Sequence, residues 1–147
     1  VQIFDSWANL LSEEQYLEYS LKYIKKILKK LSEDPVTSKT PTIVFARDPK
    51  CSLSEFQLDD LSCYGMFTSI NPNNAISVFE GSHALQGNLD PKILLEEDSV
   101  IKESVSRILS DFKDYPGYIF NLGHGITPDI NPDKVKVLVE AIRDSGS

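Results

Sequence analysis

Five times along this chain a short apolar run gives way to a polar loop and then to a segment with helical spacing. The runs are Val1–Phe4, Pro41–Ala46, Tyr64–Ile70, His83–Gly87 and Tyr118–Leu122. They are continuous rather than alternating, as in parallel strands covered on both faces, and parallel strands need crossover connections. Right-handed crossovers curl such elements into one layered unit. Two architectures satisfy the pattern, an open doubly wound sheet or part of an eightfold barrel. A complete barrel needs about 250 residues, so 147 residues supply only part of one.

The helical segments carry their own start signals. Ser12-Glu13-Glu14-Gln15 is a capping box, and Leu17, Leu21, Ile24, Leu28 and Leu31 follow on one stripe. Lysines 25, 26, 29 and 30 crowd the end of that helix, where its dipole favours cations, and read as a solvated basic face. Ser52 or Ser54 caps a short helix to about Leu61. Asn71-Pro72 opens a helix with Ala75, Ile76, Val78 and Phe79 on its apolar side. Asn88-Leu89-Asp90-Pro91 is a tight polar turn. A helix over Val100–Phe112 turns Ile101, Val105, Ile108, Leu109 and Phe112 inward. The last helix opens at Asn131-Pro132-Asp133, buries Val135, Leu138, Val139 and Ile142, and frays at Ser145-Gly146-Ser147.

The totals narrow the function. A net charge of −7 argues against nucleic acid as the main partner. Any anionic ligand needs local positive charge working against the global field. The two cysteines, Cys51 and Cys63, form no CxxC motif and read as free thiols in a reducing compartment. No apolar run is long enough to span a membrane. Val1-Gln2-Ile3-Phe4 lacks a methionine and reads as the inside of a strand, so the chain is expected to be a piece of something longer. There is no glycine fingerprint for a dinucleotide, no GxSxG, no Walker A loop and no HExxH.

What remains is a statement about place. Ligands bind at the carboxyl ends of strands in α/β folds. The polar groups expected there are Asp5 and Ser6, Arg47 and Asp48, Gln86, Asn88 and Asp90, and Asn121 and His124. His124 sits between two glycines directly after the last strand. Its backbone is expected to have few steric limits. Arg47 and Asp48 are expected to form an exposed ion pair.

Those loops resemble one family. Leu85-Gln86-Gly87-Asn88-Leu89-Asp90-Pro91 and Asn121-Leu122-Gly123-His124-Gly125-Ile126-Thr127-Pro128-Asp129 are similar to two C-terminal signatures of the uroporphyrinogen decarboxylases. Gln2-Ile3-Phe4-Asp5-Ser6-Trp7-Ala8 resembles the family's earlier strand and serine loop, and Ile43–Asp48 a strand that usually ends Phe-Ala-Lys-Asp. The resemblance implies a (β/α)8 barrel of which this chain, residues 1–147, is the C-terminal part, the last five βα units. It implies cofactor-independent removal of the carboxyl groups of the four acetate side chains of uroporphyrinogen III, giving coproporphyrinogen III in haem and porphyrin synthesis. No metal and no organic cofactor is implied; a homodimer in the cytoplasm, or in a plastid, is.

Carried over residue by residue, the substrate-binding serine falls on Ser6 and the loop histidine on His124, which is also the candidate catalytic group here. Arg47, Asn88 and Asp90 are candidates for support. The family's two substrate-binding arginines, its pyrrole-binding aspartate and a tyrosine belong to an N-terminal part with no counterpart here, so this chain alone is expected to be inactive. One departure stands out: Gly65-Met66-Phe67-Thr68-Ser69 replaces a common Gly-Leu-Asp-Trp-Thr, and the acid is gone at Phe67. Two alternatives follow. One is a degenerate barrel piece serving dimerisation or regulation. The other is a corrinoid-dependent methyltransferase relative, which would use zinc held by His and Cys; this sequence has no His-x-Cys pair.

Overall fold

The structure, a computed structural model, describes residues 1–145, so the expected fraying at Gly146 and Ser147 lies outside the described residues. The strands are β1 (Gln2–Asp5), β2 (Ile43–Ala46), β3 (Cys63–Gly65), β4 (Ala84–Gln86) and β5 (Tyr118–Ile119). They form one parallel sheet in the order β1-β2-β3-β4-β5. Sequential neighbours in space, each joined by a helical crossover, are the order of a barrel wall rather than of a doubly wound sheet.

Register sorts the strand residues into two faces. Ile3, Val44, Tyr64, Leu85 and Tyr118 stand in one row. Val44, Tyr64 and Leu85 have no exposed surface. The neighbouring row is Phe4, Phe45, Gly65, Gln86 and Ile119. Phe4 is 66% exposed and Ile119 41%. The helices therefore cover one face only, against the expectation that both faces are buried. The inner row of a barrel is filled by side chains from strands all the way round, and five strands leave it without an opposite wall.

The sheet is curled. Gln2 Nε2 donates to Gln86 Oε1 at 3.2 Å, from β1 to β4. Three inter-strand spacings on a flat sheet span about 14 Å, beyond the reach of two glutamines, so their meeting requires a concave inner face.

The first crossover is not one α-helix. Helix α1 (Glu13–Tyr16) passes through a π-turn, Leu17–Leu21, into α2 (Lys22–Glu33). The capping box forms as its sequence requires: Gln15 N–H donates to Ser12 Oγ at 3.3 Å and Ser12 N–H to Gln15 Oε1 at 3.1 Å. The buried positions then run Tyr16, Leu21, Ile24, Leu28. The step of five between Tyr16 and Leu21 is the π-turn's own spacing. Leu17 and Leu31, expected on the stripe, are only half-buried. Lysines 25, 26, 29 and 30 are exposed, as a solvated face should be.

Helix α3 (Pro72–Phe79) is capped by Asn71, whose side chain accepts from Asn74 N–H at 3.2 Å. Helices α4 (Asp98–Asp111) and α5 (Pro132–Ser145) pack against each other. Ile101, Val105 and Ile108 are buried as their spacing predicts, but Val139 is 38% exposed and only Leu138 and Ala141 of α5 are buried. The segment after Ser52 is a single 3-10 turn, Leu53–Phe56, and a second, Pro91–Leu95, follows the polar turn at Asn88. Between sheet and helices runs a column of rings: Tyr16 to Phe56 at 6.3 Å, Phe56 to Tyr64 at 4.6 Å, Tyr64 to Phe79 at 5.4 Å.

Two expectations follow. Replacing Ser12 by Ala removes one side of the capping box and costs about 1 kcal/mol, seen as a fall of about 3 °C in Tm. Cys51 and Cys63 are free, and burial pushes each thiol up to about 11. At pH 8 both stay protonated and alkylate slowly in the native state but readily in urea, because the thiolate is the nucleophile. Prompt native alkylation, read by mass spectrometry, would show the packing around them to be looser.

Candidate functional site

The carboxyl ends of the strands meet around a cavity of about 430 Å3. Ser6, Arg47, Asn121 and His124 line it, over a wall of Gln2, Phe4 and Phe45. Gln2, Phe4 and Ser6 alternate with Ile3 and Asp5, so one pleat carries all three to the inside. Arg47 follows Phe45 by the same rule. The sequence reading named the loop residues but passed over Gln2, Phe4 and Phe45. Counting back in twos from Ser6 and Arg47 would have found them.

Ser6 and His124, the two substrate-binding candidates, come from the loops after β1 and β5, the two edge strands of the sheet, and face one cavity. His124 is exposed, and its Nδ1 lies 3.1 Å from Gly125 O. A carbonyl only accepts, so Nδ1 carries the proton there and Nε2 holds the lone pair of the neutral ring. The ring also stands edge-on to Phe67, with centroids 6.4 Å apart.

The two glycines beside His124 have different reasons. A Cβ on Gly123 would come within 2.6 Å of the Thr68 backbone nitrogen. One on Gly125 would meet nothing within 4 Å. Neither has a positive φ. The expectation of a backbone freed from steric limits is therefore replaced by a close approach at Gly123: the turn after β3 packs directly on it.

That turn is held from β4. Asn88 is 5% exposed, and its Nδ2 donates to Phe67 O at 3.0 Å and Ile70 O at 2.7 Å. Ile70 N–H closes the turn on Phe67 O at 3.0 Å. The chain thus leaves the ladder after Met66, and the strand expected to reach Ile70 ends at Gly65. Asp90 Oδ1 accepts from Lys92 N–H at 2.9 Å and caps the turn Pro91–Leu95. Neither Asn88 nor Asp90 lines the cavity that Ser6 and His124 share. After β5 the pairing continues irregularly, through Leu89 N–H to Asn121 O at 3.2 Å and Gly123 N–H to Leu89 O at 2.9 Å.

The expected Arg47–Asp48 pair does not form. Asp48 takes a left-handed backbone, φ 44°, and its carboxylate pairs with Lys50 at 2.9 Å. Among the described residues no carboxylate pairs with Arg47, which is half-buried. Asp5 also leaves the site: its side chain is on the helix side, where Ser20 Oγ of the π-turn donates to its Oδ2. Gln86 is spent on Gln2. The cavity lining therefore contains one guanidinium, one imidazole and no carboxylate, in a chain of net charge −7. Among the described residues no group of three or more His, Cys, Asp or Glu is placed to hold a metal ion, and no helix is long and apolar enough to cross a membrane.

Comparisons agree with this placement. A methyltransferase from Methanosarcina mazei has the same fold, with a TM-score of 0.74 at 17% identity, over 99% of this chain and 42% of its own. "Uroporphyrinogen decarboxylase" of Alcanivorax borkumensis is 42% identical over 142 residues, 97% of this chain and 40% of that protein. The protein of the same description from Pelodictyon phaeoclathratiforme is 39% identical over 150 aligned residues, all of this chain and 42% of that one. The chain thus spans about two-fifths of the length of these curated relatives. The family model described as "Uroporphyrinogen decarboxylase (URO-D)" matches residues 1–145, and the chain belongs to that family.

Proposed function

We propose that this chain is the C-terminal portion, the last five βα units, of an enzyme that decarboxylates uroporphyrinogen III to coproporphyrinogen III. The observation that carries the reading is the single cavity shared by Ser6, His124 and Arg47 with no carboxylate in its lining. A polyanionic substrate requires such a lining, because an acidic protein otherwise repels it.

The reaction removes carbon dioxide from an acetate on a pyrrole. A proton added to the ring carbon beside the acetate-bearing one gives a cationic ring, which serves as the electron sink. The bond to the carboxylate carbon then breaks, its electron pair flows toward the ring and carbon dioxide leaves. The exocyclic methylene takes up a proton, the ring carbon loses one, and a methyl-substituted pyrrole remains. The protein has to hold the other carboxylates still and place a proton donor. Arg47 suits a carboxylate through paired N–H donors. Ser6 offers a hydroxyl and has no base within hydrogen-bonding distance among the described residues, so it orients rather than attacks. His124 binds a carboxylate or relays a proton through Nε2.

The homodimer and the cytoplasmic or plastid location expected from the resemblance belong to the same reading; the two unpaired thiols fit a reducing compartment. This chain alone is inactive on that reading. The methyltransferase alternative gains little: neither Cys51 nor Cys63 lines the cavity that holds His124.

Incubated with uroporphyrinogen, the polypeptide completed by an N-terminal barrel portion yields coproporphyrinogen, and His124→Ala lowers kcat/KM by at least about tenfold, or 1.4 kcal/mol. A folded, complete protein that gives no product would end the proposal. Gly123→Ala displaces the turn at Thr68, costs about 1–3 kcal/mol and lowers activity, whereas Gly125→Ala leaves Tm and turnover close to those of the parent protein. Thermal unfolding together with product analysis checks both.

A further inference from the structure

Behind His124 lies a second cavity, of about 300 Å3. Arg47, His124 and Gly125 line both this space and the main cavity. The second is also lined by Phe67, Thr68, Pro91 and Lys92. Its charge balance differs from that of the chain. Arg47 and Lys92 bring two cations, and Asp90 is the one carboxylate in the lining. Asp90 is turned to its own backbone by the bond from Lys92 N–H. Thr127, also in the lining, is engaged by Asp129, whose carboxyl that hydrogen bond holds below its usual range. Neither Arg47 nor Lys92 has a carboxylate partner among the described residues, where all seven ion pairs use other lysines. Two unspent cations beside apolar side chains make a place for an anionic group carried on an apolar ring.

We infer that this second cavity is a subsite for a substrate carboxylate that is not being removed, held between Arg47 and Lys92. The inference rests on the uroporphyrinogen reading and deepens it. While one acetate reacts, the remaining acid groups have to be placed somewhere, and a ligand seated in the main cavity reaches the second across the shared wall of Arg47 and His124. Phe67 meets this need with an apolar side chain beside the cations. An acid at that position would compete with the substrate for Arg47.

Lys92 is exposed and caps nothing with its side chain, so charge changes there leave the fold intact. In the complete polypeptide, Lys92→Glu is expected to raise KM for uroporphyrinogen about fivefold, the scale of a partly exposed ion pair, with kcat changed less than about twofold. Lys92→Arg keeps the KM of the parent. Lys39→Glu, on an exposed loop before β2 at the opposite end of the sheet, is the control and changes neither constant. A second measurement does not depend on turnover: benzene-1,2,4,5-tetracarboxylate, followed by isothermal titration calorimetry, binds the parent and binds Lys92→Glu about fivefold more weakly. Unchanged KM and unchanged binding in Lys92→Glu would overturn the subsite while leaving the decarboxylase reading in place. Absence of coproporphyrinogen from the parent, with binding still lost in Lys92→Glu, would overturn the reaction and leave the anion subsite standing.

Discussion

The alternation of side chains across five parallel strands governs both halves of this structure. One row of the pleat, through Val44, Tyr64 and Leu85, is sealed beneath the helices and forms the core. The next row, through Phe4, Phe45 and Gln86, faces the concave side, and its Phe4 and Phe45 become the wall of the cavity. A slip of one residue in any strand would exchange the two sets. Gly65 shows how tightly the inner row is fitted: a Cβ there would lie 3.1 Å from the Cβ of Phe45. Core packing and ligand wall are thus one decision, made by register.

The loops at the open end are fixed less by their own composition than by side chains reaching across from neighbouring segments. Asn88 holds two carbonyls of the turn after β3. That turn rests on Gly123, beside His124. On the far edge, Ser20 of the π-turn ties down Asp5, the residue before Ser6. The wider turn carries a purpose in this arrangement: it shifts the buried phase from Tyr16 to Leu21 and sets Ser20 against the end of β1. So the residues flanking the two substrate-binding candidates are anchored to the rigid wall, while Ser6 and His124 themselves stay exposed to the cavity.

Much of this was legible in the residues. The five runs, the capping box at Ser12, the Asn71 cap and the apolar stripe of α4 all follow from local rules that tertiary contacts here do not override. The common placement of Ser6 and His124 was legible because both follow strands in a parallel sheet. What was not legible depends on partners distant in sequence. The early end of β3 is set by Asn88, and the left-handed turn at Asp48 that takes its carboxylate to Lys50 leaves Arg47 without the neighbour expected for it. The exposure of the inner row could not be read from apolar content either. Continuous runs say that both faces want burial, not that both are buried.

That last mismatch has a structural consequence. Among the described residues β1 and β5 each lack a partner on one side, and Phe4 and Ile119 stand exposed on the concave face. Trp7 and Leu10, just past Ser6, are 71% and 68% exposed, and Tyr19, Tyr23 and Ile27 form a second apolar stripe along the same crossover at intervals of four. A four-residue interval keeps side chains on one helix face, and this face is turned away from the core that Leu21, Ile24 and Leu28 occupy. β1 thus combines an unpaired edge with an exposed inner-row residue, and the crossover that follows it carries a second apolar stripe. These are the features of an open wall, since a closed barrel buries its inner row from all sides. The curl that lets Gln2 meet Gln86 already fixes the direction in which it would close.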